Sequence, residues 1–117
     1  MIRVCLVGAG RAGLVHGRNF AFQIPEAELV AVVDEDPDAR ARAAEELRAQ
    51  PFASLEEALE RVPFEAVCVA TPTFTHRDLV VRAAEAGKHV LCEKPMALDV
   101  PQALAMIRAA ERASVVL

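Results

Sequence analysis

Tryptophan and tyrosine are absent from the 117 residues, which leaves five phenylalanines to supply the large aromatic rings. Such a chain has little with which to stack nucleic-acid bases. Positive charge is also in short supply: 13 Lys and Arg stand against 17 Asp and Glu, for a net charge of -4. A stripe that tracks a phosphate backbone needs the opposite balance, so nucleic acid is excluded as the expected partner. No apolar run approaches the roughly 20 residues of a membrane helix. The opening MIRVCLVGAG is too short and too rich in glycine for a secretory signal. A cytoplasmic protein outside the membrane is therefore expected. Cysteine is sparse: Cys5, Cys68 and Cys92 are odd in number, widely spaced and each set in an apolar run. Buried free thiols fit this better than a disulfide or a metal site. There is no repeat, low-complexity tract or linker.

The composition is 54% hydrophobic and 26% charged, which predicts one packed domain rather than disorder. Six apolar runs are read as strands: Ile2 to Val7, Leu29 to Val33, a weak one around Phe52 and Ala53, Ala66 to Ala70, His89 to Cys92, and Ser114 to Leu117. The first, second and fourth are continuous rather than alternating, as strands are when both faces are covered in a parallel sheet. Between them lie helix starts. Asp36-Pro37, Ser54 with Glu57, Thr75, and Asp99 with Pro101 and Gln102 all read as N-terminal signals, and Gly87 as a C-terminal stop. Strands alternating with helices predict stacked βαβ units. The expected fold class is α/β: a doubly wound parallel sheet, three layers αβα, in a single domain over residues 1–117.

Three short stretches carry chemistry. The turn after the first run, Gly8-Ala9-Gly10-Arg11-Ala12-Gly13, is G-x-G-x-x-G. After a strand and before a helix, that pattern suits a dinucleotide diphosphate: Gly8 for the tight turn, Gly10 for close approach, Gly13 for helix-to-strand packing. Asp34 closes the second run and can accept hydrogen bonds from adenosine ribose hydroxyls. It would repel a 2′-phosphate, so NAD is favoured over NADP. Arg40 and Arg42 are the counter-signal, and an ordinary loop acid is the plainer reading of Asp34.

The second stretch is ATPTFTH. Pro72 ends a strand, and Thr71, Thr73 and His76 are then candidates to bond the cofactor's ribose or phosphate. The plainer reading makes the threonines caps and His76 a surface residue. The third stretch is HVLCEKPMAL. Its strand would deliver Glu93 and Lys94 to the same rim, where a lysine can donate a proton or polarise a substrate oxygen. Pro95 breaks the strand. Without further information a surface lysine explains Lys94 as well. His16 and His89 read as structural.

VGAGRAG, ATPTFTH and CEKP occur in that order over essentially the whole chain. The set resembles the N-terminal half of the oxidoreductase family named after glucose–fructose oxidoreductase, inositol dehydrogenase and MocA (Gfo/Idh/MocA). The resemblance implies a Rossmann domain that binds NAD or NADP and serves hydride transfer on a sugar, polyol or related alcohol or ketone. It implies that Lys94 assists catalysis near the nicotinamide and that Glu93 contacts the cofactor. By the same resemblance Asp34 is the ribose-binding acid, and Arg11 and Ala12 are glycine-loop contacts. Family members usually carry a second α/β domain that shapes the substrate pocket and supplies a catalytic histidine.

That domain is expected to be missing here, leaving the apolar SVVL as an exposed edge. A domain cut from a longer enzyme, a partner chain, or a homo-oligomer joined across that edge would each cover it, and the first is favoured. The chain alone is expected to bind NAD and to turn over slowly or not at all. A non-enzymatic, partner-dependent NAD-binding module is the alternative.

Overall fold

Residues 1–117 are all described by the computed structural model. The continuous apolar runs form five parallel strands: β1 (Ile2–Val7), β2 (Ala27–Val33), β3 (Gln50–Phe52), β4 (Ala66–Val69) and β5 (His89–Cys92). Their order in the sheet is β3-β2-β1-β4-β5. The helices are α1 (Arg11–Arg18), α2 (Pro37–Leu47), α3 (Leu55–Arg61), α4 (His76–Glu85) and α5 (Val100–Ala113). A π-helical turn at Asn19–Gln23 extends α1.

The continuous runs are explained by two cores. Side chains alternate across a strand, so Val4 and Leu6 pack with Leu29, Val32 and α2 residues such as Leu47 on one face. Cys5 and Val7 pack with Val33, Val69, Val80 and Met106 on the other. Both faces are covered, and the result is the expected three-layer αβα sheet. Three of the four expected helix caps also hold. Asp36 accepts from the Asp38 amide with Pro37 in the first turn, Ser54 Oγ accepts from the Glu57 amide, and Asp99 accepts from the Gln102 amide. Gly87 adopts φ +75° just past α4, a left-handed turn that suits glycine.

Four local readings change. The third strand is Gln50–Phe52, starting two residues before Phe52 and leaving Ala53 outside. Thr75 precedes α4 without capping it; its hydroxyl bonds Pro72 O instead, at 2.7 Å. Cys92 is half-buried, whereas Cys5 and Cys68 are buried; all three are free thiols. The sixth strand does not form. Ser114 closes α5 in a left-handed conformation, φ 56°. Val116 then makes one backbone bond to β5, accepting from Val90 N at 2.8 Å. Its own amide is taken by His89 Nδ1 at 3.0 Å, so a side chain stands where the next rung of a ladder would be. No helix is long and apolar enough to cross a membrane.

Candidate functional site

One row of backbone bonds crosses the sheet at its carboxyl rim. Asp34 N donates to Phe52 O (3.2 Å), Gly8 N to Val33 O (2.8 Å), Ala70 N to Val7 O (2.8 Å) and Glu93 N to Val69 O (2.9 Å). Parallel register therefore brings Gly8, Asp34, Ala70 and Glu93 into line, each one residue past its strand. Lys94 follows on the same rim. The order reverses between β1 and β4, and in such sheets the crevice for a ligand opens at that switch. The glycine turn flanks it on one side and the Thr71 loop on the other. A hollow of about 590 Å³ lies elsewhere, between Arg3, Glu28 and Arg48. It offers no helix N-terminus and no turn of bare amides, whereas the crevice has both, which makes the crevice the candidate site.

The three glycines of the turn do different work. Gly8 has φ +103°, and a Cβ there would lie 2.6 Å from Ala70 O; a Cβ at Gly13 would lie 1.8 Å from Gly8 O. These two let the turn, β4 and α1 touch. Around Gly10 nothing stands within 4 Å of a Cβ, so its bare face is open to something outside the chain. Gly10 starts α1, with no side-chain cap and no acid in the first turn. The first amides of a helix have no partner within it, and they carry the positive end of its dipole. Arg11 and Ala12 are exposed beside them.

Asp34 reaches back to the turn. Its Oδ2 accepts from Ala9 N (2.8 Å) and its Oδ1 from Asp36 N (2.9 Å). Each carboxylate oxygen keeps a further lone pair for a ribose hydroxyl. Arg40 donates from Nη1 to the carbonyls of Asp34 and Glu35, at 3.2 Å each. The guanidinium is thereby held against the backbone of the β2 loop.

The Thr71 loop is tied internally. The Thr75 hydroxyl donates to Pro72 O, so the 2.6 Å contact between the two hydroxyls takes its proton from Thr71. Thr71 keeps acceptor capacity only. Thr73 is half-buried in the short 3₁₀ turn that follows Pro72. His76 is placed differently from either sequence reading. It is 1% exposed, the one buried polar side chain. Nδ1 faces Pro95 O (3.0 Å) and Met96 O (3.2 Å), and Nε2 faces Thr71 O (2.8 Å). The ring joins the Thr71 loop to the Lys94 loop and has no polar atom left for a cofactor. The expected cofactor contact of His76 is corrected accordingly: the residue braces the site from inside.

Lys94 is exposed, and the Lys94–Pro95 peptide is cis. Glu93 holds it on one side: Oε2 accepts from Lys94 N at 2.7 Å. The other oxygen, Oε1, accepts from His16 Nε2 at 2.8 Å. The hydrogen bond from His16, then that from the Lys94 amide, lower the Glu93 carboxyl below its ordinary value. His16 is thus at the rim, contrary to its structural reading. A signal for this lay in the sequence: His16 is three residues past Gly13 and one before Gly17, the two buried residues of α1, and so borders the sheet-facing side.

A family model described as "Oxidoreductase family, NAD-binding Rossmann fold" matches residues 2–117. Inositol 2-dehydrogenase 1 of Paenarthrobacter aurescens (strain TC1) is 42% identical over 110 residues, 92% of this chain and 32% of that protein. The scyllo-inositol 2-dehydrogenase (NAD(+)) of Bacillus subtilis (strain 168) is 35% identical over 105 residues, 89% of this chain and 31% of that protein. Among solved structures, the WlbA dehydrogenase from Bordetella pertussis in complex with NADH and UDP-GlcNAcA superposes with a TM-score of 0.93 at 37% identity. The match covers 97% of this chain and 35% of that one. The scyllo-inositol dehydrogenase from Lactobacillus casei with bound NAD(H) and scyllo-inositol gives a TM-score of 0.90 at 29% identity, over 97% and 34%. The chain spans about a third of the length of these relatives. With a glycine turn, an aspartate and a lysine on one rim, the chain belongs to the Gfo/Idh/MocA oxidoreductase family, as its NAD-binding Rossmann domain.

Proposed function

We propose that this chain is the cofactor-holding part of an NAD-dependent dehydrogenase acting on a sugar or polyol, with Lys94 as proton donor and acceptor. The observation that carries the reading is the row of bonds that sets Gly8, Asp34, Ala70 and Glu93 on one rim with Lys94 beside them. The residues fit a dinucleotide: the open face at Gly10 is a cradle that any side chain would fill. The amides of Gly10 to Gly13 are suited to the diphosphate, Asp34 to the adenosine ribose, and the Thr71 to Thr73 loop with Pro72 to the middle of the molecule. Glu93 is suited to the nicotinamide end. NAD, when bound, supplies the hydride acceptor. Lys94 takes the hydroxyl proton as an alcohol is oxidised, or returns one to a carbonyl oxygen.

Asp34 favours NAD, because a carboxylate there repels a 2′-phosphate. The inositol and UDP-sugar dehydrogenases among the relatives support the substrate class. A further domain, or a partner chain, is needed to form the substrate-facing wall, since proximity and orientation supply much of the rate. Fluorescence titration of the chain with NADH tests the reading. Saturable binding that weakens in Gly10→Ala is expected; no binding by the unsubstituted chain would overturn it.

A further inference from the structure

His16 and Glu93 are 77 residues apart in sequence, yet Nε2 of one lies 2.8 Å from Oε1 of the other. His16 belongs to α1, the helix that begins at the glycine turn. Glu93 follows β5, and β4 lies between β1 and β5 in the sheet. The bond therefore passes over the end of β4 and joins the first half of the fold to the lysine-bearing loop of the second. Gly17 helps to make this reach short. A Cβ there would lie 2.6 Å from Leu47 Cδ1 and 3.1 Å from Leu6 Cδ2, so α1 sits closer to its neighbours than a larger residue would permit. Gly13 does the same one turn earlier.

The Glu93 carboxylate is held at both ends. Oε1 takes the His16 N–H, and Oε2 takes the Lys94 amide at 2.7 Å. A glutamate held only by the next amide can still turn about its own side-chain bonds. With the second oxygen anchored on another helix, both the carboxylate and the backbone that carries Lys94 are fixed. We infer that His16 is a positioning residue for Lys94, acting through the Glu93 carboxylate. This deepens the proposed function and rests on Lys94 being the working lysine of the site. It also links two parts of that site: the helix whose first turn faces the diphosphate is the one that holds the lysine loop. The charged groups acting on Glu93 are His16 and Lys94, and both lower its carboxyl. His16 is about a quarter exposed, so its replacement should leave the fold intact.

The test uses the full chain, labelled for NMR, with the Glu93 side-chain carboxyl followed against pH and the Lys94 amide followed at neutral pH. In His16→Ala the carboxyl titration moves up toward the ordinary glutamate value and the Lys94 amide signal shifts. His16→Gln, which keeps an N–H donor near the position of Nε2, restores both in part. NADH affinity falls about three- to ten-fold in His16→Ala, as fits the loss of one partly exposed charge-assisted hydrogen bond. A His16→Ala chain whose Glu93 titration and Lys94 amide stay where they were would overturn the inference. Failure of the unsubstituted chain to bind NADH would instead sink the cofactor reading, while the two NMR signals would still decide the role of His16.

Discussion

Gly10 and Gly13 are three residues apart and under opposite constraints. A methyl group at Gly13 would drive into the Gly8 carbonyl, while the space at Gly10 is empty and its φ of -79° suits any residue. Gly13→Ala should therefore cost about 2–4 kcal/mol of stability, the range of a forced backbone shift in a packed region. Gly10→Ala should leave thermal unfolding almost unchanged and weaken NADH binding about ten-fold, because the diphosphate loses its close approach. Thermal melts and titrations of both variants separate packing from ligand contact. Asp34 supports a second prediction: in Asp34→Ser, affinity for NADPH should rise relative to NADH by about ten-fold, the repelling carboxylate being gone. Parallel titrations with the two dinucleotides read this out, and an unchanged ratio would mean that another residue selects. The cysteines give a third. Burial pushes the Cys5 and Cys68 thiols up to about 12 and Cys92 to about 11. None carries appreciable thiolate at neutral pH, so a thiol reagent should label half-buried Cys92 slowly and first, and the other two only on unfolding. Mass spectrometry of the labelled chain gives the order.

At the scale of elements, an ion pair and a histidine–carboxylate hydrogen bond hold the halves of the sheet together from opposite rims. Arg3 of β1 grips Glu65, next to β4, at the amino rim, with Nη2 to Oε2 at 2.6 Å. His16 of α1 grips Glu93 at the carboxyl rim. Hydrogen bonds from Arg3 lower the Glu65 carboxyl as those from His16 lower Glu93. A carboxyl lowered by folding contributes stability that is complete above its unfolded value, near 4.5 for both, and is lost as pH falls through the lower folded value. Thermal stability should therefore hold down to about pH 5 and decline below it. Arg3→Met should flatten part of that decline in melts taken across the acid range.

The elements that sequence revealed are those coded locally. Ser54, Asp36 and Asp99 cap helices through amides two or three residues away, and the continuous runs at β1, β2 and β4 reflect burial on both faces. What stayed hidden depends on distant partners. His76 faces carbonyls 19 and 20 residues ahead of it, and His16 finds Glu93 across the whole sheet. The apolar run at the end failed as a strand because His89, a side chain, takes the Val116 amide. Local pattern cannot report which group will occupy such a donor.

Taken whole, the molecule is two halves meeting between β1 and β4, with α1 and α2 on one face and α3, α4 and α5 on the other. The doubly wound architecture was legible because strands alternate with helices and right-handed crossovers leave few alternatives; the jump from β3 back across the sheet to β4 is what creates the switch point. The run Ser114 to Leu117, expected as an exposed strand edge, forms no strand; beside it lies a groove of about 520 Å³, where Val90, Leu91 and Met96 face Ile107 and Leu117. Leu91 is 49% exposed there. The same topology makes the rim of the sheet a sharper claim than any one residue. The most direct measurement is amide chemical-shift mapping of the labelled chain with NAD. The account predicts shifts at Gly8 to Gly13, Asp34, Thr71 to Thr73 and Glu93 to Lys94, with Arg3, Glu28 and Arg48 silent. Shifts confined to that second set, or none at saturating NAD, would contradict it.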